Sequence, residues 1–436
     1  MTIQTPTQRP LNTQPNAMSV AEPVEPARRI QVIDILRGFA IFGILLVNMQ
    51  FFNQSIFTKI MGLYEPATLL DQLADWFIRF FATGKFYSTF SFLFGLGMAI
   101  QYARAQERGA RFGRFWLRRM GVLLVFGVIH AYLFWVGDIL LLYSLLGMAL
   151  LLFRNRRPRT LLIWAAVMLL IPLLIYGALL GLVRMADASP EASAMLAATF
   201  AEQEAQYRAL GAAADEVYAT GSFADITAQR ARDMVFMYFS WIFFAPNVFA
   251  MFLLGLYAGK RRIFDDLPGH LPFIRRVWLW GLVVGLVGNA AYVYFGEGAS
   301  RSLPTPALML SLVGQTFGAP ALSLFYMTSL IQLAQQPIWR RRLAPLASVG
   351  RMALTNYLMH TVICTTLFYG YGLGLYGQVG VALGVLLTLV IYAAQIPLSN
   401  WWLARFRYGP MEWLWRTLTY GRRQSFRLHT APASGS

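Results

Sequence analysis

A histidine and a carboxylate eight residues apart in one apolar stretch are the first chemistry this sequence offers. The stretch is RRMGVLLVFGVIHAYLFWVGDILLLY, residues 118–143, and the pair is His130 and Asp138. A neutral imidazole beside a carboxylate handles protons, because the carboxylate holds one tautomer and stabilises the imidazolium formed when the ring acts as a base. Arg119 lies eleven residues before His130 and so shares its helical face, ~16 Å away by the helical rise. Tyr143 follows five residues after Asp138. A plainer reading stays open: a buried histidine bonded to a carbonyl, with Asp138 capping the next helix.

Two other apolar runs carry polar groups. In RIQVIDILRGFAIFGILLVNMQFF, Asp34, Arg37 and Asn48 fall on one stripe, since eleven residues bring Asn48 within ~20° of Arg37. They are read either as a site or as an intrahelical ion pair with a packing asparagine. In GRMALTNYLMHTVICTTLF, Asn356, His360 and Cys364 recur every fourth residue. No acid accompanies them, so helix–helix hydrogen bonding is the better reading and a metal site is not expected. The Walker phosphate loop, H-E-x-x-H and G-x-S-x-G are absent, which leaves ATPase, zinc-protease and serine-hydrolase readings without support.

These residues sit in a chain of 436 residues that is 57% hydrophobic and 13% charged, with a mean hydropathy of +0.51. That composition excludes an ordinary soluble domain. Ten apolar segments approach the ~20 residues a helix needs to cross a bilayer: 31–52, 85–103, 115–136, 138–153, 160–183, 234–258, 277–296, 307–334, 352–371 and 379–402. The expected fold is an all-α polytopic membrane helix bundle. The first run carries Asp34 and Arg37 and no small-residue cleavage site, so it is expected as a retained span rather than a signal peptide. The single cysteine, Cys364, permits no intramolecular disulfide.

The charges test the count, because loops rich in Lys and Arg stay cytoplasmic. With both termini inside, the inner segments hold 29 basic and 7 acidic residues and the outer ones 8 and 13. The net charge of +17, which in a soluble chain would suggest nucleic acid, thus divides into +22 inside and −5 outside. The expected arrangement has both termini cytoplasmic.

The chain accordingly divides into a disordered N-terminal tail (1–28), an N-terminal membrane half (29–183), an extracytoplasmic helical loop (184–233), a C-terminal membrane half (234–404) and a cytoplasmic basic tail (405–436). Within 64–82, Leu69, Leu73, Trp76, Phe77, Phe80 and Phe81 oppose Asp71, Asp75 and Arg79, the pattern of a helix lying in the membrane interface. In the 184–233 loop, Ser189 and Pro190 supply a helix start, and Gly211 is expected to end that helix. Gly95 and Gly97 in FSFLFGLG permit close helix approach.

Five segments taken in order, VIDILRGFAIFGILLVN, KFYSTFSFLFGLG, RRMGVLLVFGVIHAYLFWVGDILLLY, GRMALTNYLMH and RYGPMEWLWRTLTYG, resemble the YeiB-like bacterial inner-membrane proteins, whose C-terminal half is domain of unknown function 418. The first-span pattern of Asp34, Arg37, Gly38 and Asn48 is also similar to the start of transmembrane acyltransferases of the heparan-glucosaminide acetyltransferase type. Those enzymes carry their catalytic histidine just after the first span, whereas here no histidine falls between Asn48 and His130.

The expected function is therefore acyl transfer from a cytosolic thioester to an extracytoplasmic acceptor. His130 and Asp138 would be catalytic, and Asp34, Arg37, Asn48, Arg119, Tyr143, Asn356 and His360 would bind substrate. No bound cofactor is expected. Partners are the lipid bilayer, an acyl-CoA donor and a glycan, lipid or small-molecule acceptor, without nucleic acid, and a homodimer stays open. The alternatives are a proton-coupled transporter or export protein for a small polar or lipid-linked molecule, and a non-catalytic membrane protein.

Overall fold

The computed structural model describes residues 31–297 and 303–428, so the expected N-terminal tail lies outside the described residues. The chain runs α1 (Gln31–Phe52), α2 (Ile56–Ile60), α3 (Leu69–Phe81), α4 (Lys85–Glu107) and α5 (Phe112–Ile129), which ends in one π turn (His130–Phe134). There follow α6 (Leu140–Leu150), α7 (Pro158–Ala186), α8 (Pro190–Thr220), α9 (Phe223–Lys260) and α10 (Leu267–Gly296). The last are α11 (Pro306–Ala334), α12 (Pro337–Arg351), α13 (Ala353–Phe368), α14 (Val381–Leu403) and α15 (Pro410–Tyr420). Among the described residues seven helices, α1, α5 with its π turn, α7, α9, α10, α11 and α14, are long and apolar enough to cross a membrane. The remaining three of the ten apolar segments are α4, α6 and α13; α6 and α13 are short, at 11 and 16 residues.

The molecule is a polytopic helical membrane bundle with a largely apolar exterior. Leu174 and Leu182 of α7, Trp280 and Val287 of α10, and Leu386 and Val390 of α14 are all exposed, which suits a protein whose outer solvent is hydrocarbon. Close backbone approach holds the interior together. A side chain at Gly95 would collide with the Phe252 carbonyl of α9, and one at Gly255 with the Phe92 carbonyl of α4. Gly97 is not tight: its nearest neighbour would be the Arg37 guanidinium at 3.7 Å. Gly38 of α1 and Gly350 of α12 likewise let those two backbones touch.

Helix starts follow local chemistry. Ser189 Oγ accepts from the Ala192 N–H ahead of Pro190, and Ser222 with Asp225 forms a capping box at α9. Gly211 does not end α8, which runs on to Thr220. It serves packing instead, since a side chain there would press on the Thr58 and Ser55 hydroxyls, and an isolated glycine costs a helix only about 1 kcal/mol. α9 continues without a break across residue 234, from the 184–233 segment into the membrane half. The basic stretch 340–351 between α11 and α13 lies in the amphipathic helix α12. In α3, Leu69, Leu70, Leu73, Trp76 and Phe77 are exposed while Asp71 and Asp75 are buried against the bundle.

Candidate functional site

His130 opens the π turn, where the Trp135 N–H reaches back five residues to its carbonyl at 2.8 Å. The extra residue per turn swings the chain so that Asp138, beyond the Gly137 corner, returns to the ring. His130 Nδ1 and Asp138 Oδ2 are 2.6 Å apart. The other Asp138 oxygen accepts from the Leu141 N–H at 2.7 Å, so Asp138 caps α6 as well as holding the histidine. Asp138 thus makes both contacts that the sequence suggested, one with the ring and one with the start of α6. Gly127 permits this, since a side chain there would strike the Leu141 backbone.

The far side of the ring is engaged by a residue from another helix. Thr361 of α13 places its hydroxyl 2.9 Å from His130 Nε2. With the carboxylate ionised and the ring neutral, Nδ1 donates to Asp138 and Nε2 accepts from the Thr361 O–H. Hydroxyl, imidazole and carboxylate in this order form the arrangement that activates an oxygen nucleophile or withdraws a proton from one. His130 and Asp138 are 2% and 4% exposed, and Tyr357 and Trp135 flank the ring at centroid distances of 5.3 and 6.4 Å.

The other residues singled out from the sequence lie apart from this triplet. Asp34 and Arg37 form an ion pair at 3.1 Å along α1, the intrahelical alternative. Asn48 is half-buried further along the same helix. Arg119 stacks over the Trp415 ring of α15 at 3.6 Å, and Trp415 Nε1 donates to the Arg119 carbonyl at 3.0 Å. Tyr143 bonds Ser91 Oγ of α4 at 2.7 Å rather than the histidine. His360 Nε2 meets Gln395 Oε1 of α14 at 2.8 Å, and Asn356 Nδ2 donates to Ser399 Oγ at 3.1 Å. The Asn356 and His360 stripe thus lies in the α13–α14 contact.

Two residues were not singled out from the sequence. Thr361 shares a face with Tyr357 and Thr365, a polar repeat of four that sequence alone could have flagged. Glu412 of α15 caps α13 from outside that helix: its carboxylate accepts from the Leu354 and Thr355 N–H groups at 2.7 and 3.0 Å and from the Thr355 hydroxyl at 2.6 Å. Its only sequence signal is an acid beside a helix-starting proline in RYGPMEWLW. Burial raises its carboxyl above the usual carboxylate range, against the lowering effect of those hydrogen bonds. Asp71 of α3 caps α14 in the same way, accepting from the Ala382 N–H at 2.9 Å, and that bond with the Thr68 hydroxyl lowers its carboxyl.

Residues 258–422 match the family model described as Protein of unknown function (DUF418). The chain is 38% identical over 418 residues to the uncharacterized protein YxaH of Bacillus subtilis, covering 92% of this chain and 97% of that one. It is 30% identical over 408 residues to the uncharacterized protein YeiB of Escherichia coli, covering 89% and 95%. No solved structure matches at a significant level. Similarity of this extent, over about nine-tenths of the chain and nearly all of each relative, places the chain in the YeiB-like DUF418 family.

Proposed function

We propose that this protein is a membrane acyltransferase that passes an acyl group from a cytosolic thioester to a hydroxyl or amine on the extracytoplasmic side, with His130 as general base. The carrying observation is the buried triplet: Asp138 at 2.6 Å from one ring nitrogen and the Thr361 hydroxyl at 2.9 Å from the other. In the reaction the acceptor hydroxyl or amine takes the place of the Thr361 hydroxyl at Nε2. It gives its proton to the ring as its lone pair attacks the thioester carbonyl. The new C–O or C–N bond forms, the C–S bond breaks, and the imidazolium returns the proton to the leaving thiolate. Asp138 stabilises the imidazolium between those events. Arg37 and Arg119, near the end of the bundle that carries α15, would meet the phosphates of the donor.

Acyl transfer from labelled acetyl-CoA to endogenous acceptors in membranes tests this reading. Replacing His130 by Ala is expected to lower transfer ~10²-fold or more, and unchanged transfer overturns the mechanism. The near-complete burial of His130 and Asp138 favours one alternative, a transporter in which the same pair binds a proton in an occluded state. Proton-dependent flux in proteoliposomes without any acyl donor would support that alternative.

A further inference from the structure

At the α8 end of the bundle, α9 holds an arginine with no counterpart in the triplet. Arg230 is 0% exposed. Its Nη1 donates to the Tyr132 carbonyl at 3.0 Å, within the π turn that carries His130. Its Nε and Nη2 are buried with no hydrogen-bond partner among the described residues. These two groups are not scattered, because they form one edge of the guanidinium, the fork whose parallel N–H bonds match a carboxylate or phosphate. A buried cation left with an open fork is costly unless an anion completes it.

The nearby carboxylate does not fill that role. Asp233 lies three residues along the same helix, yet its Oδ2 accepts from the Tyr218 hydroxyl and its Oδ1 from Gln229 Nε2, each at 2.7 Å. A second cation stands behind it, since Arg232 Nη2 donates to Gln229 Oε1 at 2.6 Å. The cluster therefore holds two arginines and one carboxylate, whose oxygens are directed at other groups.

We propose that the Nε and Nη2 edge of Arg230 is a binding site for a single oxyanion, the carboxylate or phosphate group of a ligand entering at the α8 end. The Tyr132 carbonyl fixes the guanidinium from its opposite edge, so the fork is held ready. Under the acyltransferase reading, on which only this naming rests, the ligand is an acceptor bearing an acidic group. The guanidinium that would hold the anion is fixed by the carbonyl of Tyr132, two residues along the chain from the base that deprotonates the acceptor's hydroxyl or amine.

Labelled inorganic phosphate in equilibrium dialysis against the full chain, purified in a phosphate-free maltoside detergent, tests the site without any acyl donor. Failure here and failure of the His130 transfer assay are thus separate results. The expected result is saturable binding of about one phosphate per chain, competed by acetate. Arg230→Lys, which keeps the charge but lacks the fork, should weaken it at least ~10-fold, a difference of about 1.4 kcal/mol. Arg208→Gln, an exposed arginine of α8 paired with Glu204, should leave binding unchanged. Displacement by short-chain phosphatidylglycerol would name a lipid headgroup as the source, and displacement by acetate but not by lipid a soluble acid. Absence of saturable binding, or equal binding in Arg230→Lys, overturns the proposal. Should that variant not fold, hydrogen exchange on the unaltered protein decides: phosphate must slow exchange in 218–233 and 130–138, and slowing confined to other segments overturns the site.

Discussion

Two histidines of this bundle are buried to the same 2% and differ in what holds them. His130 lies between a carboxylate and a hydroxyl from separate elements. His360 meets the side-chain amide of Gln395 through Nε2, and its Nδ1 is buried without a hydrogen-bond partner among the described residues. An amide has no charge with which to compensate an imidazolium, whereas a carboxylate does. Equal burial therefore goes with a carboxylate partner in one place and an amide partner in the other, and only the first is suited to the proton transfer proposed above. His360, which the sequence offered as a substrate ligand or a helix–helix contact, joins α13 to α14 through Gln395.

The comparison breaks if the two histidines exchange effects. His130→Ala should remove acyl transfer ~10²-fold or more, while His360→Gln should stay within about threefold of the unaltered protein in the same membranes. A large loss at His360 with little at His130 would move the site to the α13–α14 contact. Asp138→Asn sharpens the matter: the amide can still cap α6 through its oxygen but cannot compensate an imidazolium, so a loss of ~10²-fold is expected with the thermal transition shifted little. A smaller change is predicted at Thr361. If its hydroxyl only holds the acceptor's place, Thr361→Val keeps transfer within about tenfold, whereas a loss equal to that of His130→Ala would make Thr361 itself the acylated oxygen.

The two carboxylate caps carry the smallest effects and have opposite signs. Asp71 has a lowered carboxyl in the fold, so it contributes stability that is fully present above its unfolded value and is lost as pH falls through the folded one. Asp71→Ala should cost about 0.5–2 kcal/mol of stability at neutral pH, the usual range for a cap. Glu412 is raised, so the folded state holds its proton more tightly than the unfolded chain. Stability then increases as pH falls from neutral through the folded value toward the unfolded one. Glu412→Gln should flatten that slope in thermal unfolding of the detergent-solubilised protein, and an unchanged slope would show that the buried carboxyl does not titrate there.

Much of the architecture was legible in residues close together in sequence. All ten apolar segments are helical, Ser189 and Pro190 start α8 as their chemistry implies, and α3 turns its leucines and aromatics outward and its acids inward. Where local reading failed, a distant contact had intervened. Gly211 is a helix end by propensity, yet α8 runs through it because the Ser55 and Thr58 hydroxyls lie against that face. The arginine run at 340–342 lies in α12, which meets α1 at Gly350 and Gly38, a contact that no local signal states.

The candidate site divides in the same way. His130 and Asp138 are eight residues apart, and the cost of burying each inside an apolar stretch marked them from composition alone. Thr361 lies 231 residues from His130, and Glu412 lies 58 residues from the amide it caps. By itself the sequence determined the helices, the apolar exterior and the two polar residues that need each other, since hydrophobic period and desolvation cost act along neighbouring residues. Only the tertiary structure decided that Thr361 faces Nε2, that Gln395 claims His360, and that Arg230 reaches the π turn through Nη1 with Nε and Nη2 unpartnered. Helices joined by long stretches of chain meet through backbone approach at Gly38, Gly95, Gly255 and Gly350, and no local signal states which side chains such crossings bring together.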